Sequence, residues 1–215
     1  MRVDRSSMLL YAVTDRTWLK DRSLPDVVEE AVRAGVTFLQ LREKNLDYAT
    51  FLQLAKEIKI ITDKYRIPYV INDNVEVAMA SGADGVHVGQ KDMAAQDVRK
   101  IIGPDKILGV SVQTVEQAIL AEKNGADYLG VGSAFPTSTK LDAETVSFVT
   151  LKEICEAVSI PVVAIGGINK DNVMKLAGTG IDGIAVVSAI FAQENITAAV
   201  KELLQISSRM ISHEV

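Results

Sequence analysis

"ASGADGVHV", residues 80–88, sets a glycine three residues ahead of a short apolar run, and close variants of the device occur three more times. "RAGVTFLQL" (33–41), "KNGADYLGV" (123–131) and "GTGIDGIAV" (178–186) follow the same plan. Gly35, Gly82, Gly125 and Gly180 read as left-handed caps, a backbone state open to glycine and costly for other residues. Working outward, four further runs complete a set of eight expected strands: "LLYAVT", "YVIN", "ILGVSV" and "VVAIG". Expected strand starts are Leu9, Thr37, Tyr69, Gly85, Ile107, Asp127, Val162 and Gly183, so the glycine-led strands are the even-numbered ones. Two odd strands share a different entry, "IPYVIN" and "IPVVAI", where proline suits a strand's first residue. Eight helical segments are expected to alternate with them, among them "LPDVVEEAVRAG", "YATFLQLAKEIKIITDKY", "VEQAILAEKNG" and "FVTLKEICEAV".

Strands apolar on both faces and separated by helices imply a parallel sheet with helices covering it. A two-strand period that runs once around eight strands suits a closed (β/α)8 TIM barrel better than an open, doubly wound sheet. The chain has 215 residues, enough for one such barrel, and a single domain over 1–215 is expected, with the tail after Leu204, "QISSRMISHEV", liable to fray. A formal net charge of -5 argues against a nucleic-acid footprint, so any anion site must be local. The single Cys155 rules out an internal disulfide and reads as a buried position of a helix. "MLLYAV" is too short for a signal-peptide core or a bilayer span, which leads to the expectation of a soluble, cytoplasmic protein with no membrane partner.

In a barrel of this kind active-site groups lie past the carboxyl ends of the strands. Those ends are polar here. Strand two ends in Gln40, Arg42 and Lys44, strand three in Asn72, Asp73 and Asn74, and strand four carries His87, Gln90 and Asp92. Strand five ends with Ser111 and Thr114. Strand six opens into "GVGSAFPTSTKLDAET", where Thr137, Ser138, Thr139 and Lys140 fall in a row. Strand seven gives Gly166, Gly167 and Asn169, and strand eight gives Val187 and Ser188 at the start of the expected last helix. Carboxylates beside cations on one face suit a polyphosphate held through Mg²⁺. Backbone amides at strand ends seven and eight suit a phosphate monoester. Plainer readings stand beside these: Asp73 and Asp92 as helix N-caps, Arg42 and Lys44 as solvated charges, the threonine-rich loop as filler, His87 as a satisfied core histidine and His213 as an inert tail residue.

"LYAVTD", "QLREK", "INDNVEVA", "ADGVHVGQKD", "GVSVQT", "GADYLGVGSAFPTSTK", "VVAIGGI" and "GIAVVSAI" occur in that order from about Leu10 to about Phe191. Together they resemble the thiamine-phosphate synthase (thiamine-phosphate pyrophosphorylase) family. The resemblance implies a transferase that joins 4-amino-5-hydroxymethyl-2-methylpyrimidine diphosphate to 4-methyl-5-(2-phosphooxyethyl)thiazole or its carboxylate form, releasing pyrophosphate by a dissociative, Mg²⁺-assisted route. It implies Asp73 and Asp92 as Mg²⁺ ligands, Arg42, Lys44 and Asn72 on the diphosphate, and Gln40 and Ser111 at the pyrimidine. It further implies Thr137, Thr139 and Lys140 between the two substrates' phosphates, and Gly167, Val187 and Ser188 around the thiazole phosphate. The resemblance implies Lys140, Arg42 and Ser111 as the catalytic set. One departure stands out: the family pattern carries a proline and a larger apolar residue where this chain has Ser133 and Ala134, which bears on the rigidity of the loop. Competing readings are a thiazole tautomerase, which needs no diphosphate site, and a non-catalytic barrel that senses thiamine precursors. Retention of Arg42, Lys44, Asp73, Asp92 and Lys140 favours the synthase.

Overall fold

A computed structural model describes residues 3–136 and 145–212. Eight parallel strands close into a barrel in chain order: β1 (Leu10–Val13), β2 (Phe38–Leu41), β3 (Tyr69–Asn72), β4 (Gly85–Val88), β5 (Ile107–Val112), β6 (Tyr128–Val131), β7 (Val162–Ile165) and β8 (Gly183–Val186), with β8 pairing back to β1. Around it lie α1 (Leu24–Ala34), α2 (Tyr48–Tyr65), α3 (Val75–Ser81), α4 (Ala95–Ile102), α5 (Val115–Lys123), α6 (Phe148–Ala157), α7 (Ser188–Phe191) and α8 (Ile196–Ser212). This is the expected single (β/α)8 barrel. Helix starts follow from short polar residues: Ser23, Asp47, Asn74, Thr114 and Ser147 each accept a hydrogen bond from an amide in the first turn.

Alternation along the strands divides two apolar layers. Leu10 and Ala12, Leu39 and Leu41, and Leu129 and Val131 face the helices, whereas Tyr11, Val13, Phe38, Val70, Ile107, Tyr128, Val163 and Ala185 fill the lumen. Burial of the outer layer, at roughly 25 cal/mol per Å² of apolar surface, is what holds the helices to the sheet.

The repeated entry to the even strands has a physical basis at the rim where strands begin. Asp84, Asp127 and Asp182 each exchange a pair of hydrogen bonds with the preceding strand. Their amides donate to the carbonyls of Tyr69, Leu108 and Val162, and their carboxylates accept from the same three residues' amides at 2.8–2.9 Å. Thr37 does the same for β1 and β2: its amide donates to the Leu10 carbonyl and its hydroxyl oxygen accepts from the Leu10 amide at 2.9 Å. Gly35, Gly82, Gly125 and Gly180 all have positive φ, as expected of the residue that turns the chain into these clamps.

Four expectations need correction. The segment between β7 and β8 is a 3-10 turn, Val173–Leu176, so Gly180 caps no α-helix there. Ser188 opens α7, a single four-residue turn, and the last helix starts only at Ile196. The tail expected to fray is helical through Ser212, because Ser207 and Met210 are fully buried along one face of α8. Cys155 is half-buried against the outer core, not enclosed. Among the described residues no helix is long and apolar enough to cross a membrane.

Candidate active site

The strand-end residues meet on one rim, and the adjacent loops decide what each can do. Asn72, the last residue of β3, donates from Nδ2 to Asp73 Oδ2 at 2.6 Å. Asp73 adopts φ +60°, a left-handed state that a non-glycine residue rarely holds, with its amide donating to the His87 carbonyl at 2.8 Å. That backbone state turns the Asp73 carboxyl toward Asp92. Desolvation, a hydrogen bond with Asp92 and that residue's charge, in that order, push the Asp73 pKa up to about 6, while Asn72 and Arg42 pull it down. Asp92 Oδ2 also accepts from the Gly89 amide at 2.7 Å, which anchors it to the loop after β4. Neither residue is a helix N-cap: Asn74 caps α3, and α4 starts after Ala94 with no side-chain cap. Two carboxylates thus face one another with no side-chain cation at hydrogen-bond distance among the described residues.

The cations stand beside this pair. Arg42 is held on Thr14 Oγ1 through its amide at 3.0 Å, and its Nη1 lies 3.5 Å from Asp15 Oδ2. Lys44 is exposed. Between them Glu43 was not singled out from the sequence: its side chain is 6% exposed, with Oε1 buried and 3.9 Å from Arg16 Nε, and burial raises its pKa.

Below the rim, polar side chains cross the lumen. Gln40 Nε2 donates to Tyr11 Oη at 2.5 Å, Tyr11 Oη lies 2.7 Å from Tyr128 Oη, and Tyr128 Oη lies 2.8 Å from His87 Nδ1. His87 Nε2 in turn lies 2.8 Å from Ser111 Oγ. Burial drives the His87 pKa down to about 4, so the ring is neutral at pH 7. His87 is therefore a satisfied core histidine that also touches a site residue. Two glycines make room for it. A Cβ at Gly109 would sit 2.2 Å from Tyr128 Cζ and 2.5 Å from His87 Nδ1, and one at Gly130 would sit 3.3 Å from His87 Cε1. Tyr11 and Tyr128 were missed in the sequence; an aromatic with a polar tip at an inward position of "LYAV" and "DYLG", the second paired with Gly109 of β5, was the available signal.

At strand ends seven and eight, Gly166 (φ +102°) and Gly167 (φ +65°) open the loop after β7. A Cβ at Gly167 would lie 2.4 Å from the Pro136 carbonyl oxygen and 2.8 Å from that of Phe135. This glycine is thus required where two loops touch, whatever binds beside it. Val187 and Ser188 follow at the start of α7, and Ser188 is exposed. Thr137, Thr139 and Lys140 lie outside the described residues. The entry to their loop is pinned: Ser133 Oγ donates to the Phe135 carbonyl at 2.5 Å, and the Ser133 carbonyl accepts from the Val146 amide at 2.8 Å. Ser133 thus bonds both to Phe135 and to Val146 just past the end of β6.

Comparison with known proteins gives the family of the chain. The family model for thiamine monophosphate synthase matches residues 10–190. A thiamine-phosphate synthase of Clostridium tetani is 59% identical over 194 residues, covering 90% of this chain and 93% of the relative. One from Ruminiclostridium cellulolyticum is 55% identical over 197 residues, 92% of this chain and 94% of that one. Among solved structures, a thiamine phosphate pyrophosphorylase from Pyrococcus furiosus superposes with a TM-score of 0.89 at 41% identity, covering 96% of this chain and 98% of that one. Matched over nearly its whole length in both sequence and barrel geometry, the chain belongs to the thiamine monophosphate synthase family.

Proposed function

We propose that this chain is a transferase that couples 4-amino-5-hydroxymethyl-2-methylpyrimidine diphosphate to a thiazole phosphate, making thiamine phosphate and releasing pyrophosphate. The observation that carries the reading is the match to the family over residues 10–190, with the strand-end residues on one rim. Both substrates are small phosphorylated molecules, which suits a cytoplasmic enzyme.

The Asp73–Asp92 pair fits Mg²⁺. With the Asp92 carboxylate beside it Asp73 is harder to ionise, so the pair is short of a cation, and Mg²⁺ keeps most of its waters while using one or two carboxylates plus substrate phosphates. The lack of a group of three or more His, Cys, Asp or Glu among the described residues is compatible with such a site. When bound there, Mg²⁺ would neutralise charge on the diphosphate. Arg42, Lys44 and Asn72 hold the diphosphate oxygens by charge-assisted and amide hydrogen bonds. Gln40 and Ser111 orient the pyrimidine over the lumen. By the family resemblance, Thr137, Thr139 and Lys140 lie on the phosphates, and Lys140 meets the charge that grows as pyrophosphate departs. Gly167, Val187 and Ser188 take the thiazole phosphate. The carbon–oxygen bond to the leaving group breaks first, and the thiazole nitrogen closes the new carbon–nitrogen bond, so the protein supplies positioning and electrostatics and no nucleophile.

The test is to combine purified protein, both substrates and Mg²⁺ and to follow thiamine phosphate and pyrophosphate. Product should appear in equal amounts and vanish on chelation. No product, or product indifferent to chelation, would defeat the catalytic or the metal part of the reading respectively. Lys140→Ala should lower turnover about 10- to 150-fold, the worth of one charge-assisted hydrogen bond.

A further inference from the structure

The side chains that cross the lumen form a run from Gln40 to Ser111, in which Gln40 also reaches Tyr128, and a run of this kind has a direction. Gln40 Nε2 carries only hydrogens to give, so Tyr11 Oη, 2.5 Å away, accepts from it. The Tyr11 hydroxyl hydrogen then goes to its other partner, Tyr128 Oη at 2.7 Å. Tyr128, having accepted, gives its own hydrogen to His87 Nδ1 at 2.8 Å. A ring nitrogen that accepts carries no proton, so the proton of the imidazole sits on Nε2 and is donated to Ser111 Oγ at 2.8 Å. A doubly protonated ring would set His87 Nδ1–H against the Tyr128 hydroxyl hydrogen, and the run would fail at that point.

We propose that Tyr11, Tyr128 and His87 are positioning residues that lock His87 as its Nε2–H tautomer and thereby present the Ser111 hydroxyl to the barrel mouth as a hydrogen-bond donor. The hydroxyl hydrogen of Ser111 is not used within the run, and Ser111 lies one residue before the carboxyl end of β5, next to the rim. The pyrimidine, on the functional reading above, must then offer Ser111 an acceptor: an unprotonated ring nitrogen, not the hydrogens of an exocyclic amine. Three features show that the run is built in. Tyr11 and Tyr128 are at most 1% exposed, five different strands contribute to it, and Gly109 leaves the space that any Cβ would fill. Breaking the run leaves buried hydroxyls without partners, which is costly in a low-dielectric lumen.

The chain contains two histidines, so the tautomer can be read directly. Long-range proton–nitrogen correlation of ¹⁵N-labelled ligand-free protein at pH 7, with His213→Gln to remove the other ring, should show His87 as one neutral species protonated on Nε2. Protonation on Nδ1, or on both nitrogens, overturns the proposal, since the hydrogens would then run the other way or not at all. In Tyr128→Phe the lock is removed while the ring stays. His87 should become a mixture of tautomers, and the KM for the pyrimidine diphosphate should rise about 3- to 10-fold, with the KM for the thiazole phosphate within twofold of parental. An unchanged tautomer and unchanged KM in folded Tyr128→Phe would equally overturn it. If that variant does not fold, the parental spectrum decides alone. A parental protein that made no thiamine phosphate would defeat the functional reading, whereas the tautomer is measured without substrate.

Discussion

The two rims of the barrel carry similar numbers of acidic residues and use them in opposite ways. Where the strands begin, Asp84, Asp127 and Asp182 each bind a strand amide and each has a cation: Lys59 at 3.4 Å, Arg99 at 2.6 Å and Arg5 at 2.6 Å. Arg99 goes further and donates to the carbonyls of Gly103, Lys106 and Gly125. Where the strands end, Asp73 and Asp92 face each other, Asp73 holds a left-handed backbone, and Glu43 Oε1 is buried without a hydrogen bond. Charge that is closed within the protein contributes to stability; charge left open is available to a ligand. The comparison is therefore between a rim complete in itself and a rim whose carboxylates are left open, where the proposed function places metal and phosphate.

The sharpest way to break it is to neutralise one open carboxylate. Asp73→Asn or Asp92→Asn should reduce turnover at ordinary Mg²⁺ by about 100-fold or more without lowering the unfolding midpoint. A steady-state Mg²⁺ titration checks this, and parental rates in both variants would make the two rims alike. The converse change is Asp127→Ala, which leaves the Leu108 amide unpaired and Arg99 without its carboxylate. It should cost about 2–3 kcal/mol in urea unfolding and leave turnover within twofold. A large loss of turnover with full stability would show that the lower rim also serves the chemistry.

The smallest effect concerns pH. The Asp73 pKa is raised to about 6 in the fold from an ordinary value near 3.8, so the folded protein holds the extra proton between those values. Stability of the metal-free protein should then fall as pH rises from about 4 to 6, the unfolded chain binding fewer protons over that window. A shift of this size would carry roughly 3 kcal/mol for an enclosed group, but solvent screens an exposed residue such as Asp73, and about 1 kcal/mol is expected. Asp73→Asn should remove this slope, and Mg²⁺ with pyrophosphate should remove it in the parental protein. A slope that persists in Asp73→Asn would place its origin elsewhere.

Much of this was legible in the chain itself. The fourfold echo ahead of the even strands marked a closed barrel, and five of eight strand starts were placed to the residue, the other three within one. The strand ends named the polar rim, because a barrel puts its loops there whatever the loops do. The length of the last helix was not legible: "QISSRMISHEV" is polar in composition, yet Ser207 and Met210 fall on the face that packs against the barrel.

By itself, then, the sequence determined the eight-strand parallel architecture, the family and the set of residues at the mouth, since these follow from local periodicity and short motifs. Only the tertiary structure decided how those residues are coupled. The approach of Asp73 to Asp92, the bond from the Val146 amide to the Ser133 carbonyl and the run from Gln40 to Ser111 join residues apart in the chain. The run also depends on space at Gly109 that exists only once β5 lies beside β4 and β6. Hydrogen-bond direction and carboxylate proximity are properties of distances between strands, and no spacing along one chain encodes them until the barrel has closed.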